Sequence, residues 1–211
     1  MHYLLSHRTT YTYASTVDSA HHIAHLRARN FPGQTVTAIS IVTNPLPALA
    51  VQHVDHFGNL IDIYRIEKPH TRFDIEVRAE VDVRFPDPPA ANSTPAWEDI
   101  RTALLGNGFP SPVEASEFIY DSPLVPSVEA LRAYGAQSFT PGRPILDAAR
   151  ELTSRIRADF EYHPGATDIS TPLADVFAGK AGVCQDFAHV EIAALRAHGL
   201  AAGYVSGYIR T

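Results

Sequence analysis

The stretch of sequence that decides the fold lies at residues 178–199 and reads AGKAGVCQDFAHVEIAALRAHG. It contains Cys184, the single cysteine of the 211-residue chain. Apolar residues at helical spacing follow this cysteine, so we predict a helix over 184–198 that ends at Gly199. Cys184 then lies at a helix N-terminus, where free backbone N–H groups and the positive end of the helix dipole favour a thiolate. The same N–H groups could stabilise an oxyanion on a substrate carbonyl.

A helical wheel at 100° per residue places Cys184 on the apolar side of the predicted helix. Phe187 and Ile192 lie within about 80° of it, so we expect the cysteine to face the domain body. An inert core cysteine and a catalytic one would both lie there. His189 is offset by about 140° and is a poor base for Cys184. Glu191 falls within the apolar side, and we expect a backbone group or an arginine to bind its carboxylate.

Upstream of this segment the sequence contains further helical patterns. Proline at first turns, small polar caps and apolar residues at helical spacing mark these helices. Thr171, followed by Pro172, is the expected cap of one of them. After the helix of Cys184, the sequence LAAGYVSGYI predicts a strand. The predicted helices are 96–105, 127–134, 144–160 and 171–178, and the predicted strand is 200–209.

The N-terminal part of the chain is expected to be β structure. Residues 72–85 read RFDIEVRAEVDVRF and alternate apolar and charged side chains, as a strand with one buried and one solvated face does. A proline-rich stretch, PDPPAANSTP at 86–95, follows and has the composition of a linker. We therefore predict a β-sandwich-like domain over 1–85, a linker, and a second domain over 96–211. Further strands are expected at 3–13, 39–43 and 60–66.

The sequence around the cysteine resembles a known family. GVCQDFAH at 182–189, with AALRAHGL at 193–200 and YVSGY at 204–208, is similar to the nucleophile region of bacterial transglutaminase-like proteins. The stretch FEYHPGATDIST at 160–171 resembles the family's approach to that region. HRTTYTY at 7–13, LRAR at 26–29 and DHFGN at 55–59 resemble the family's N-terminal region. The resemblance implies an α+β fold in which a β-rich domain precedes a papain-like transglutaminase core.

The resemblance also implies a mechanism. In this family a Cys-His-Asp triad, in that chain order, attacks amide carbonyls, and Cys184 is the matching nucleophile. The histidine and aspartate would lie on strands downstream of the cysteine. Here His198 is at the far end of the same predicted helix, about 21 Å away along its axis, and no aspartate follows Asp186. We therefore expect an incomplete core, cut after its first strand, and a fragment that is inactive alone.

Composition narrows the remaining classes of function. The formal net charge of −6 and the pI near 6.0 do not favour a nucleic-acid-binding protein. No apolar run approaches the roughly 20 residues that span a bilayer, so no membrane segment is expected. No secretory signal is visible, and with a free thiol this predicts a cytoplasmic protein. The expected substrate is a peptide or protein amide, and no cofactor is implied.

Three alternatives remain open at the level of sequence. An upstream triad would use His163 with Asp168 or Asp175 as partners of Cys184. A metal site would use the His-His-x-x-His stretch at 21–25, which lacks the glutamate of the zinc-protease motif. A non-catalytic binding or scaffold protein would keep the fold with a degenerate core.

Overall fold

The computed structural model describes residues 1–106 and 113–210, and the chain divides into two compact units. The first unit comprises Met1–Asp87 together with the residues from Gly207 onward. The second unit comprises Pro88–Ser206. No helix among the described residues is long and apolar enough to cross a membrane.

The first unit consists of six strands in two three-stranded antiparallel sheets. One sheet has the order β1-β6-β3 and the other β2-β5-β4. The strands are β1 (His2–Val17), β2 (Ala20–Ala24), β3 (Gln34–Asn44), β4 (Leu49–Val54), β5 (Leu60–Ile66) and β6 (His70–Val83).

The central strand β6 confirms the alternation read from the sequence. Its apolar residues at every second position are buried, namely Phe73, Ile75, Val77, Ala79 and Val81. Residues of both sheets, including Ile66 of β5 and Phe73 of β6, contribute to one hydrophobic cluster. The first unit is therefore β-rich as predicted, and its description as a sandwich stays a prediction.

One carboxylate on the opposite face of β6 is also buried. Asp74 accepts hydrogen bonds from Arg72 and from the hydroxyl of Thr10, and Arg8 lies 3.3 Å from it. These hydrogen bonds and the nearby positive charges hold the pKa of Asp74 well below its usual range. The surrounding donors thus compensate a charge that the sequence pattern places on the solvated face of the strand.

The second unit is mainly helical. Its helices are α1 (Trp97–Leu104), α2 (Val113–Ser116), α3 (Glu129–Ala136), α4 (Ile145–Asp159), α5 (Leu173–Gly179) and α6 (Cys184–Arg196). Single 3₁₀ turns occur at Ala91–Ser93 and Glu117–Ile119. Two short parallel strands, β7 (Glu161–Tyr162) and β8 (Ala181–Gly182), pair with each other.

The predicted helices of this unit are confirmed, but α6 ends at Arg196 rather than at residue 198, and Thr171 is not the cap of α5. Helix α5 begins after Pro172, and the hydroxyl of Thr171 accepts the N–H of Asp168 instead of capping the helix. Helix α6 packs at the centre of the core, where Val190 and Ala194 are fully buried. Gly199 has φ +76° and lies in the turn that follows α6, three residues after Arg196.

The predicted strand at 200–209 is wrong, since residues 201–210 have no regular secondary structure. The guanidinium of Arg196 donates to the carbonyl of Ala202, from Nε at 2.9 Å and from Nη2 at 2.7 Å. The N–H of Ala202 donates to the carbonyl of Phe118. A strand needs a neighbour that pairs with its backbone, and no strand of the described residues pairs with this segment.

The environment of Asp74 predicts a pH dependence of stability. A carboxyl whose pKa is lowered by folding stabilises the protein above its unfolded pKa, about 3.9, and this stabilisation is lost as the pH falls. We expect the Tm of the wild type to exceed that of Asp74→Asn near neutral pH, and the gap to narrow between about pH 5 and pH 3. Thermal unfolding followed by circular dichroism measures this gap. Glu80→Gln, an exposed carboxylate of the same strand, is the control, and a gap that stays constant to pH 3 would contradict the assignment.

Candidate functional site

Cys184 is the first residue of α6, and its side chain is exposed among the described residues. The expectation that it faces the domain body is therefore wrong. A wheel describes residues inside a helix, whereas side chains of the first turn point back beyond the helix end. Cys184 is thus exposed at the N-terminus of α6, where the first-turn N–H groups have no intrahelical partner.

The N-terminus of α6 is closed by the buried carboxylate of Asp186. Its Oδ2 accepts the backbone N–H of Val183 at 2.8 Å and the hydroxyl of Thr167 at 2.6 Å. On a helical wheel Asp186 lies about 200° from Cys184, away from the packed side, yet only 7% of it is exposed, because it folds back over the helix end. A negative charge at this position is also favoured by the helix dipole. Asp186 thereby ties the segment before Cys184, and the loop that contains Thr167, to the helix.

Gly182 is required by this arrangement. A Cβ built on Gly182 would lie 2.5 Å from Oδ2 of Asp186 and 2.9 Å from its Cβ. The close approach lets the chain turn from β8 into α6 while the carboxylate reaches Val183. The carbonyl of Gly182 also accepts the N–H of His163 at 2.9 Å, which continues the pairing of β7 with β8.

The upstream triad is not assembled in this structure. The side chains of His163 and Asp175 are exposed, and the carboxylate of Asp168 is hydrogen-bonded within its own loop. Its carboxylate accepts the N–H and the hydroxyl of Ser170, which lowers its pKa. No hydrogen bond or ion pair of residues 1–106 and 113–210 joins His163 to Cys184, Asp168 or Asp175. The hydrogen bond of His163 to the segment before Cys184 is a backbone one, to the carbonyl of Gly182.

The other polar residues of α6 have different neighbours. His189 packs its ring 5.5 Å from that of Tyr204, and burial lowers its pKa against an opposing effect of Asp186. Glu191 accepts the hydroxyl of Thr153 at 2.6 Å, so its partner is neither a backbone group nor an arginine. Both residues thus have roles in packing α6, and Glu191 lines a groove of about 330 Å³ between α6 and residues 201–205.

His198 belongs to the core of the second unit. Its Nδ1 donates to the carbonyl of Ala194 at 2.8 Å, and its ring lies 4.8 Å from that of Phe139. A Cβ on Gly135 would meet the same ring at 2.8 Å. These contacts agree with the expectation that His198 is not the base for Cys184.

The histidine-rich stretch has a packing role as well. His22 stacks on Phe73 with ring centroids 4.0 Å apart, and burial, with the charges of His70 and His21, lowers its pKa. His21 and His22 are consecutive residues of β2 and point to opposite faces. Across the two described stretches of chain, no group of three His, Cys, Asp or Glu side chains could hold a metal ion.

Sequence reasoning missed two polar residues near the cysteine, Thr167 and Lys180. The hydroxyl of Thr167 donates to the carboxylate of Asp186. Lys180 follows the last residue of α5, and its ammonium lies among aromatic rings. Neither belongs to a periodic pattern. The one signal for Lys180 is its position directly after Gly179, at a helix end where a glycine is the usual residue.

The close approach of Gly182 to Asp186 predicts a specific effect of an added methyl group. We expect Gly182→Ala to lower the free energy of unfolding of the second unit by about 1–3 kcal/mol, because Asp186 must shift away from Val183. Urea unfolding followed by the fluorescence of Trp97, the only tryptophan of the chain, measures this. Gly179→Ala is the matched control, since nothing lies within 4 Å of a Cβ there. Equal effects of the two substitutions would refute the argument.

Comparison with known proteins agrees with this geometry. Residues 3–82 match the family model of the bacterial transglutaminase-like N-terminal region, and residues 132–211 match that of the transglutaminase-like superfamily. Uncharacterized proteins of Mycobacterium bovis and Mycobacterium tuberculosis are 40% identical to 99% of the chain. An uncharacterized protein of Mycobacterium leprae is 26% identical over 96% of it. The chain spans 66% of the length of the first two relatives, slightly less than two thirds.

A solved structure has the same fold. The crystal structure of a "putative cysteine protease" from Cytophaga hutchinsonii superposes with a TM-score of 0.70, at 20% identity, over 93% of this chain and 66% of that protein. At this identity the likeness concerns the fold alone. The two family matches cover the β-rich first unit and the helices around Cys184, in the order expected from the sequence. The chain therefore combines a region that matches the bacterial transglutaminase-like N-terminal region with a region that matches the transglutaminase-like superfamily core.

Proposed function

We propose that Cys184 is the nucleophile of a transglutaminase-like cysteine hydrolase that acts on amide or peptide bonds. The observation that carries the proposal is the exposed thiol on the first residue of α6, within the region that matches the core family. A thiol in this position is accessible to a substrate carbonyl. The helix N-terminus stabilises negative charge, first on the thiolate and then on the oxygen of a tetrahedral intermediate.

The local hydrogen bonds support a reactive end of α6. Asp186 accepts the N–H of Val183, the residue that precedes the helix, and leaves the first-turn N–H groups to other acceptors. An inert structural cysteine is normally buried among apolar side chains, and Cys184 is not. The chemistry proposed here is attack of the thiolate on an amide carbonyl, expulsion of the amine and hydrolysis of the resulting thioester.

The base and its orienting carboxylate are proposed to lie beyond Thr211 in a longer protein. The family order Cys-His-Asp places both groups after the nucleophile, and the mycobacterial relatives are longer than this chain. Hydrolysis, with a peptide or protein amide as substrate, is proposed in preference to cross-linking. Support for this choice comes from the fold shared with the Cytophaga protein, whose name describes a protease. A cytoplasmic location stays a prediction.

The proposal predicts an activated thiol in the 211-residue chain itself. At about pH 7 we expect iodoacetamide to alkylate Cys184 roughly tenfold faster in the folded chain than in the same chain unfolded in urea, because the helix N-terminus favours the thiolate. Mass spectrometry follows the single thiol, and Cys184→Ser shows the background. A folded-state rate at or below the unfolded rate would favour the alternative of a non-catalytic binding or scaffold protein.

The proposed position of the other triad groups predicts an inactive chain. We expect the 211-residue protein to release no amine from peptide amide substrates above the level of Cys184→Ala, because no described imidazole is hydrogen-bonded to the thiol. A longer protein that includes the residues after Thr211 is expected to be active and to lose its activity in Cys184→Ala. Turnover by the 211-residue chain that disappears in His163→Ala would instead establish the upstream triad.

A further inference from the structure

Lys180 is one of only two lysines in the chain, and its ammonium is enclosed by aromatic rings. Its Nζ lies 3.6 Å from the ring centroid of Phe177, 4.3 Å from that of Phe160 and 4.6 Å from that of Tyr134. We call these three rings the aromatic cage. The rings also contact one another, with centroids 5.3–6.4 Å apart, so the cage is a packed cluster rather than a set of separate contacts.

The cage is the main partner of this charge. No carboxylate of the described residues forms an ion pair with Lys180, and burial lowers its pKa while Asp159 acts in the opposite direction. Electron-rich ring faces attract an ammonium and replace part of its lost hydration. The hydroxyl of Tyr134 donates to Asp159 at 2.8 Å, which fixes the orientation of the ring on which Lys180 rests.

The backbone of Lys180 has an unusual conformation for a lysine. Its φ of +51° and ψ of +28° are left-handed, and it is the only residue other than glycine with positive φ among residues 1–106 and 113–210. Such a position at a helix end normally favours glycine or asparagine. The side chain of Lys180 is therefore present despite the backbone, and its contacts with the cage are the compensating interaction.

The backbone hydrogen bonds of Lys180 connect the cage to Cys184. Its N–H donates to the carbonyl of Val176 and closes α5, and its carbonyl accepts the N–H of Glu161, which starts the pairing of β7 with β8. Strand β8 follows directly and leads into α6. On the far side of the cysteine, Phe187 of α6 packs against the cage with its ring 5.7 Å from Phe160. The cage thus holds the chain both before and after the thiol.

We propose that Lys180 is a positioning residue for Cys184. The caged ammonium of Lys180 fixes the start of β8 and thereby the direction in which the thiol of Cys184 points at the start of α6. This inference rests on the proposed function, in which Cys184 is the nucleophile. A residue that merely stabilises the helix end would be replaced by glycine without loss, since glycine adopts this backbone conformation freely. A positioning residue would not.

The experiment measures the alkylation rate of Cys184 by iodoacetamide, together with Tm, in single variants. Lys180→Gly relieves the backbone and removes the cation, Lys180→Met keeps a long side chain without charge, and Lys180→Arg keeps a cation that stacks on rings. We expect Lys180→Gly and Lys180→Met to react at least about fivefold more slowly than wild type while folded, because a displaced thiol loses the stabilisation that the helix N-terminus gives to negative charge on its sulfur. Lys180→Arg is expected to recover most of the rate, and the matched control Lys68→Met to leave it unchanged.

A second measurement serves if the charge-removing variants do not fold. Reductive methylation with labelled formaldehyde keeps the charge and gives one NMR signal for each of the two lysines, besides that of the N-terminal amine. We expect the signal of Lys180 to be shifted upfield by the cage relative to that of Lys68. Alkylation of Cys184 is expected to move the signal of Lys180 and not that of Lys68.

The outcomes separate the two proposals. Wild-type alkylation that is no faster in the folded chain than in urea contradicts the proposed function, whatever the lysine variants show. Fast wild-type alkylation that Lys180→Gly and Lys180→Met leave unchanged overturns the positioning role and leaves the nucleophile intact. Unchanged Lys180 methyl signals after alkylation of Cys184 overturn it as well.

Discussion

The second unit depends on the hydrogen bond from the N–H of Val183 to the buried carboxylate of Asp186. This bond folds the first turn of α6 back onto the strand that precedes it, and Thr167 attaches the neighbouring loop to the same oxygen. It is possible only because Gly182 has no side chain to block the carboxylate. The result is a helix whose first turn is held by Asp186 and whose first residue, Cys184, is exposed.

Two kinds of contact hold α6 in this position. Apolar residues along its length, such as Val190 and Ala194, are fully buried against α3, α4 and α5. At its N-terminus polar and cationic interactions replace apolar packing, because Cys184 is exposed there and no hydrophobic core covers it. Asp186 and the caged Lys180 supply these interactions from opposite directions along the chain. Hydrogen-bond donors replace the lost hydration of the Asp186 carboxylate, and aromatic rings replace that of the Lys180 ammonium.

Much of the fold could be predicted from local pattern. The period-two alternation of β6 and the helical spacing of α4 and α6 were sufficient, because one face of each element packs against the core. The segment at 200–209 has strand composition and is not a strand, since pairing depends on a neighbour that composition does not specify. The orientation of Cys184 was predicted wrongly for a related reason, because a helical wheel does not describe the first turn of a helix.

The amino-acid sequence was sufficient to establish the order of the two regions, the family resemblance and Cys184 as the candidate nucleophile. These are properties of residue type and spacing, which need no partner distant in the chain. Tertiary structure alone decided that the thiol is exposed, that Asp186 binds Val183 and Thr167, and that Lys180 enters a cage of three rings. Each of these depends on side chains brought together from separate elements, and the distances between such elements follow from packing rather than from any local pattern.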